Sequence, residues 1–187
     1  MKLHEIIEQR FSPMIFSDKA VSQEDVQTML NAATWAASAY NAQPWRFIYG
    51  LKGSKTYDVL FNLMVEYNQN WAKTAPMLML SIAEMKNSHS GDLNYWAMHD
   101  LGMAASSMVL QASSMGIQLH QMGGFDMDRA RAELNIPESY VPVAMIAVGY
   151  PGNPETLDET FKKRANEKRM RKPIQEVAGD MSFFKLS

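Results

Sequence analysis

The chain has 187 residues and no cysteine. Without a thiol it has no thiolate nucleophile, no redox-active cysteine pair and no thiolate ligand for a metal. Any oxidation or reduction must therefore be carried by a bound cofactor. With 47% hydrophobic residues the chain can bury one core without disulfides, so we predict a single domain over residues 1–187.

The chain also lacks an excess of charge of one sign and long uninterrupted hydrophobic runs. The formal net charge is −2, which argues against a broad basic face for nucleic acid. Residues 93–119, the most apolar stretch, are interrupted by polar side chains, which favours a buried helix over a membrane span. Residues 1–10 mix charged with apolar side chains, unlike a signal peptide. We therefore expect a cytoplasmic protein that binds neither nucleic acid nor membrane.

Several common active-site signatures are missing. Residues 50–56 lack the spacing and the Gly-Lys-Ser/Thr order of a P-loop, and the chain has neither a G-x-S-x-G elbow nor a G-x-G-x-x-G fingerprint. The histidines are not paired at helical spacing, so the pattern does not favour a metal centre. We expect His99 to be a core histidine of the long apolar helix.

Periodicity and turn residues predict helices and strands in alternation. Ser22 and Asp25 have the spacing of a capping box, and Asp126 can cap another helix. Helices are expected up to residue 10 and over 22–38, 57–67, 93–115 and 126–134, and strands over 46–50, 77–83, 117–122 and 141–149. Small residues at 102–107 make the long helix a candidate for a subunit interface. The order predicts an α+β domain.

The C-terminal part of the chain differs in composition from the rest. From Pro151 onward it is polar and basic, and the basic residues at 162–172 are typical of a solvated segment. It ends in an apolar tail that contains Met181, Phe183, Phe184 and Leu186. Because such a tail is too apolar to stand alone, we predict that residues 151–187 form an extension onto a partner subunit.

Four separated segments share one chemical theme. They are Arg10-Phe11-Ser12, the loop at 38–47, the pair Asn70 and Lys73, and the pair Arg169 and Arg171. Arginine forks and a hydroxyl suit a phosphate, carboxamides suit the pyrimidine edge of a flavin, and a lysine suits the charge of a reduced flavin. Together these residue types are what flavin mononucleotide (FMN) requires. Trp45 and Phe47 are interpreted as core residues that stiffen the loop, and Arg10 alone could simply stabilise the end of its helix.

The order of these segments resembles the nitroreductase-like family. Arg10-x-Ser12, followed by Asn41-x-Gln43-Pro44-Trp45-x-Phe47, is similar to the opening of those proteins. The segments at 70–76, 123–125 and 169–173 follow in the family's order, so the resemblance covers almost the whole chain. It implies a homodimer that binds FMN, with a mixed central sheet flanked by helices.

The resemblance also implies roles for individual residues. Arg10, Ser12, Arg169 and Arg171 would bind the phosphate, with Phe11 inside the same motif. The other assignments are Asn70 and Lys73 at the pyrimidine side, Ser38, Ala39 and Asn41 at the flavin of the other subunit, and Met122, Gly123 and Gly124 in a turn whose backbone faces N5 and O4. One candidate position departs from the family, which often has a basic residue where this chain has Met14.

The resemblance implies an enzyme without a catalytic side chain. NAD(P)H would reduce FMN and leave, and a small electron-poor acceptor such as a nitroaromatic or a quinone would then be reduced. Two alternatives keep the fold: another flavin reaction, such as dehalogenation, azoline oxidation or flavin consumption, or flavin binding without turnover. The short loop at 86–92 gives little sign of the substrate-covering insertion that another reaction would favour.

Overall fold

A four-stranded sheet forms the centre of the computed structural model, which describes residues 2–87, 90–181 and 183. The strands are β1 (Trp45–Leu51), β2 (Met77–Glu84), β3 (Gln118–Met122) and β4 (Tyr140–Gly149), in the spatial order β1-β2-β4-β3. The helices in this part of the chain are α1 (Glu5–Gln9), α2 (Gln23–Thr34), α3 (Lys55–Leu63), α4 (Glu66–Ala72), α5 (Ala97–Ser114), α6 (Met127–Glu133) and α7 (Glu159–Ala165). The predicted α+β class is confirmed.

Helices cover both faces of the sheet. Successive residues of a strand point to opposite faces, so Leu78 and Leu80 join a core cluster with α3 and α4, whereas Met77 and Met79 join a second cluster with α2 and α5. Strand β2 is therefore buried along Met77–Ala83. This explains the continuous apolar run from which the strand was predicted.

The sheet is antiparallel, not mixed as predicted. All three pairings, β1 with β2, β2 with β4, and β4 with β3, are antiparallel within the described residues. Strands β2 and β3 do run in the same direction, but β4 lies between them, so the described strands form no parallel pair. The connection from β1 to β2, through α3 and α4, leaves and returns at the same end of the sheet, because Leu51 at the end of β1 pairs with Met77 at the start of β2.

The helix predicted over 57–67 is broken in the structure. Met64 has an extended backbone (φ −73°, ψ 148°) and forms a β-bridge with Phe125. The next N–H group, that of Val65, donates to the carbonyl of Gly124 at 3.1 Å. Contacts with a segment distant in sequence therefore replace the helical hydrogen bonds at this point.

Two other helix boundaries and the chain end also differ in detail. Helix α2 ends at Thr34 instead of residue 38, and α5 begins at Ala97 instead of residue 93.

Phe161 of α7 is buried, whereas Met181 is 98% exposed, and Phe184 and Leu186 lie outside the described residues. Docking of the tail on a partner therefore stays a prediction. No helix in the described ranges is long and apolar enough to cross a bilayer.

Candidate cofactor site

Arg10 and Ser12 lie at a cleft made of two cavities that share them and His120. The first cavity, of about 320 Å³, lies against α5 and β3 and is also lined by Gly102, Ser106, Val109, Leu119 and Gln121. The second, of about 310 Å³, reaches the C-terminal extension and is also lined by Phe11, Met14, Arg164, Ala165, Glu167, Arg169 and Arg171. The cleft thus brings together the predicted phosphate-binding residues from both ends of the chain.

The cleft carries closely spaced positive charge. Partial burial lowers the pKa of the Arg10 guanidinium from its ordinary value, and the charges of Arg171 and Arg169 lower it further. An Arg10 Nη1 group lies 3.4 Å from the Ser12 hydroxyl oxygen and can donate to it. Guanidinium groups that repel one another in an open cleft, next to a hydroxyl, form a site suited to a polyvalent anion.

The two C-terminal arginines are held differently. Arg169 donates to the carbonyl oxygens of Arg10 (2.6 Å) and Glu8 (2.9 Å), at the C-terminal end of α1. Arg171 donates to its neighbour, the carbonyl of Met170, at 2.7 Å. Arg169 therefore ties the extension to α1, while Arg171 keeps more of its donors free in the described part of the chain.

His120 and Arg164 were not among the predicted site residues. His120 Nδ1 lies 2.8 Å from the carbonyl oxygen of Pro13, and its ring centre lies 4.4 Å from that of Trp71. Arg164 donates to the Tyr67 hydroxyl at 2.6 Å and lines the second cavity. A signal for His120 was available, because it lies two residues before Met122 and therefore on the same face of β3.

Hydrogen bonds hold the cleft segment in place. The Gln118 side-chain oxygen accepts the Phe11 N–H at 3.2 Å, and its nitrogen donates to Ser113 at 3.2 Å. Met14 is 4% exposed and packs in the core while also lining the second cavity. Met14, which stands where the family often has a basic residue, is therefore buried.

The turn at Gly123 and Gly124 is fixed from one side. The Gly124 carbonyl accepts hydrogen bonds from Val65 N–H (3.1 Å) and Asn68 Nδ2 (3.0 Å). A Cβ atom at Gly124 would lie 2.7 Å from Asn68 Nδ2, whereas one at Gly123 would meet no atom of the described residues within 4 Å. The preceding Met122 is buried. Asn68 is a positioning residue that the sequence reasoning missed.

Asn70 and Lys73 are exposed at the end of α4 and line neither cavity of the cleft. Their helix is nonetheless next to it, since Trp71 packs on His120. Beyond Lys73, the Thr74 hydroxyl accepts the N–H of Phe16 at 3.1 Å. Their assignment to the pyrimidine side stays a prediction.

The loop at 38–41 does not line the Arg10 cleft of its own chain. The Ala39 N–H donates to the buried carboxylate of Asp100 at 3.0 Å, and the Ser38 hydroxyl accepts the N–H of Gln43 at 3.1 Å. Asn41 has a positive φ of 54°. The contact of Ser38, Ala39 and Asn41 with a second subunit's flavin stays a prediction.

His99 is not the core histidine that we expected. Its side chain is 67% exposed, and Nδ1 lies 3.2 Å from an oxygen of Asp100. The helix turns His99 outward while the adjacent Asp100 is buried, because residues one apart point in different directions on a helix. Its neighbours Trp96 and Met103 are exposed as well.

A family model described as the nitroreductase family matches residues 7–56 and 50–150. The chain belongs to the nitroreductase family. A solved structure described as an oxidoreductase containing FMN superposes with a TM-score of 0.90 at 33% identity, over 97% of this chain and 92% of that one.

Two relatives known from sequence are also similar to this nitroreductase-family chain. A 15.4 kDa protein from Mycolicibacterium smegmatis is 30% identical over 71% of the chain and 93% of its own length. An FMN reductase (NADPH) from Bacillus subtilis is 24% identical over 74% of the chain and 61% of its own length.

Proposed function

We propose that this protein is an FMN-dependent oxidoreductase that transfers electrons from NAD(P)H to a small electron-poor acceptor, such as a nitroaromatic or a quinone. The observation that carries the proposal is the cavity that Arg10, Arg169 and Arg171 line together with Ser12. It occurs in a family member whose solved relative contains FMN. Among the described residues that line the second cavity, Glu167 is the one carboxylate opposing these charges.

The residues fit a phosphate monoester attached to a flat ring. Arg10, Ser12 and Arg171 line a common cleft with side chains that can donate hydrogen bonds, and Arg169 holds the end of α1 next to it. Asn70 and Lys73 would bind the pyrimidine side. The Gly124 carbonyl is already bonded twice, so the rigid turn can present backbone N–H groups, and the open side of Gly123 leaves room for a substrate.

Bound FMN would supply the redox chemistry, accepting hydride from the nicotinamide and then reducing the acceptor after the nicotinamide has left. The protein's part is to bind, orient and polarise. No side chain is required as a nucleophile.

We further propose that the active form is a homodimer. Trp35 and Tyr40 are 84% and 89% exposed, and Trp96, just before α5, and Met103 of α5 are exposed as well. Exposed aromatic residues of this kind on one chain are typical of a surface that another subunit covers. The loop at 38–41 starts next to this surface, which supports its role at the partner's flavin.

Two measurements on the purified protein test this function. Its absorbance spectrum should show flavin bands equivalent to about one FMN per chain. Anaerobic mixing with NADPH or NADH in a stopped-flow instrument should bleach those bands, and a quinone or nitroaromatic should restore them. A spectrum without flavin that FMN does not reconstitute would refute the proposal. A flavin that stays oxidised with both donors would indicate a binding protein without turnover.

A further inference from the structure

His120 occupies the point where the two cavities of the cleft meet. It lines both of them, together with Arg10 and Ser12. Neither the sequence motifs nor the family resemblance assigns this residue a role. A histidine at an anion site can change charge near neutral pH, which arginine cannot do.

The contacts of His120 determine which ring nitrogen can titrate. Nδ1 lies 2.8 Å from the carbonyl oxygen of Pro13, and a carbonyl can only accept, so Nδ1 carries the proton and donates it. Nε2 has no hydrogen-bond partner within the described ranges. Packing on Trp71, with ring centres 4.4 Å apart, fixes the plane of the imidazole. Nε2 is therefore the atom that gains or loses a proton at the cleft.

The surroundings favour the neutral form of the imidazole when no anion is present. Burial lowers the pKa of His120, the hydrogen bond to Pro13 opposes that shift, and the charge of Arg164 lowers the pKa further. Arg10 from the N-terminal segment also borders the cleft, and the C-terminal extension adds Arg169, Arg171 and the opposing carboxylate of Glu167. Trp71 of α4 and the α5 residues that line the first cavity carry no charge. Cations thus outnumber anions around the ring.

We propose that His120 is a proton-dependent ligand of the cofactor phosphate: Nε2 is unprotonated in the empty cleft and takes up a proton from solvent when the dianionic phosphate enters. The inference rests on the proposed function, because FMN is the phosphate-bearing ligand. Two negative charges beside the ring favour the imidazolium, which then donates from both nitrogens, to Pro13 and to the phosphate. Cofactor binding and proton uptake are thereby linked.

The sign of the pH dependence follows from this linkage. The phosphate raises the pKa of His120 above its value in the empty cleft, so the contribution to affinity is fully present below the empty-cleft pKa. It is lost as the pH rises through the bound-state pKa. Each unit by which the phosphate raises that pKa corresponds to about a tenfold gain in affinity at low pH.

The test compares FMN binding to the cofactor-free full-length protein and to His120→Gln between about pH 6 and pH 8.5, where a histidine titrates. Glutamine keeps a neutral donor, and His4→Asn serves as the control, because it removes an exposed histidine and keeps a side chain that can cap α1. The phosphate monoester has its own second ionisation near pH 6, but this is common to all three proteins. We expect the ratio of dissociation constants, variant over wild type, to fall toward one as the pH rises. His4→Asn should follow the wild type throughout.

Riboflavin, which lacks the phosphate, provides the ligand control. With riboflavin the wild type and His120→Gln should show parallel pH profiles. Calorimetry of FMN binding in buffers with different ionisation enthalpies should show greater proton uptake by the wild type than by His120→Gln. Parallel FMN profiles together with equal proton uptake would overturn the inference while leaving the proposed function intact. Failure of the wild type to bind FMN would refute both.

A measurement on the unsubstituted protein covers the case in which His120→Gln does not fold. NMR titration of the histidine ring signals, with the other three histidines assigned by His4→Gln, His89→Gln and His99→Gln, gives the pKa of His120 with and without FMN. Inorganic phosphate is a second probe, since it offers the same dianion without the flavin ring. A higher pKa in the presence of either anion supports the inference. An unchanged pKa with bound FMN would contradict it.

Discussion

Replacing Arg171 with alanine should weaken FMN binding about tenfold. Arg171 lines the cavity that contains Arg10, and its one hydrogen bond in the described part of the chain is to the adjacent carbonyl of Met170. A hydrogen bond to a charged group contributes about 1.5–3 kcal/mol. Because Arg171 is exposed, solvent screening favours the lower end, and about 1.4 kcal/mol corresponds to tenfold.

Arg169→Ala should affect stability as well as affinity. Arg169 donates to the carbonyls of Arg10 and Glu8, so its loss frees the C-terminal end of α1 and lets Arg10 move. We expect a smaller direct loss of FMN affinity than in Arg171→Ala but a lower midpoint of thermal unfolding. Arg171→Ala should not lower that midpoint in the cofactor-free protein, because it removes a charge that repels Arg10 and a hydrogen bond only to the adjacent carbonyl of Met170.

The assay is quenching of FMN fluorescence as cofactor-free protein is added at fixed ionic strength, with thermal unfolding followed by circular dichroism. Lys172→Ala is the matched control, because it removes one charge from the same segment at a residue that does not line the described cleft. A nonspecific charge effect would weaken binding equally in Lys172→Ala. Unchanged dissociation constants in both arginine variants would refute the reasoning and leave these arginines as solvated surface.

Three further predictions concern other parts of the molecule. Light scattering should show a dimer, and a monomer that retains FMN at micromolar concentration would contradict the reach of Ser38 and Asn41 across subunits. Gly124→Ala should cost about 1–3 kcal/mol of unfolding free energy because its Cβ would lie 2.7 Å from Asn68 Nδ2, whereas denaturant unfolding of Gly123→Ala should match the wild type. In dye-equilibrated reduction, Lys73→Met should lower the reduction potential of the flavin and Met14→Lys should raise it, each by roughly 20–40 mV. A positive charge near the anionic reduced flavin stabilises it by about 1–2 kcal/mol, and 30 mV of a two-electron couple equals about 1.4 kcal/mol. Potentials that do not move in these directions while FMN still binds would refute the assignment of Lys73 to the pyrimidine side and the inference that residue 14 lies near the flavin.

Features that depend on nearby residues were predictable from the sequence. The capping box is confirmed, with Ser22 and Asp25 exchanging hydrogen bonds of 2.9 and 3.0 Å. The cap at Asp126 is confirmed as well, since its carboxylate accepts the N–H of Arg129 at 2.9 Å. Both involve groups three residues apart, so the order of side chains alone specifies the contact. The buried strand around Met77–Ala83 was predictable for a related reason, because burial on both faces leaves an uninterrupted apolar run.

Features that depend on distant partners were not predictable. The helix predicted over 57–67 fails at Met64 because Phe125 and Gly124 compete for its backbone, and their proximity is a property of the fold. The antiparallel pairing of all the described strands is another case. It depends on β4 lying between β2 and β3, which no local pattern encodes. The burial predicted for His99 was wrong for a third reason, because a largely apolar helix still has an exposed side.

The candidate site depends both on nearby residues and on residues that are distant in the sequence. The residue types of the site could be predicted from four short segments. Their meeting at the cleft depends on Arg169, because its hydrogen bonds to the end of α1 bring the C-terminal extension next to Arg10. Without an anion, Arg10, Arg169 and Arg171 repel one another in this arrangement, and the charges of Arg171 and Arg169 add to the larger effect of burial in lowering the pKa of Arg10. A bound phosphate would neutralise that repulsion. Cofactor binding should therefore stabilise the packing of the C-terminal extension on α1 as well as complete the redox centre.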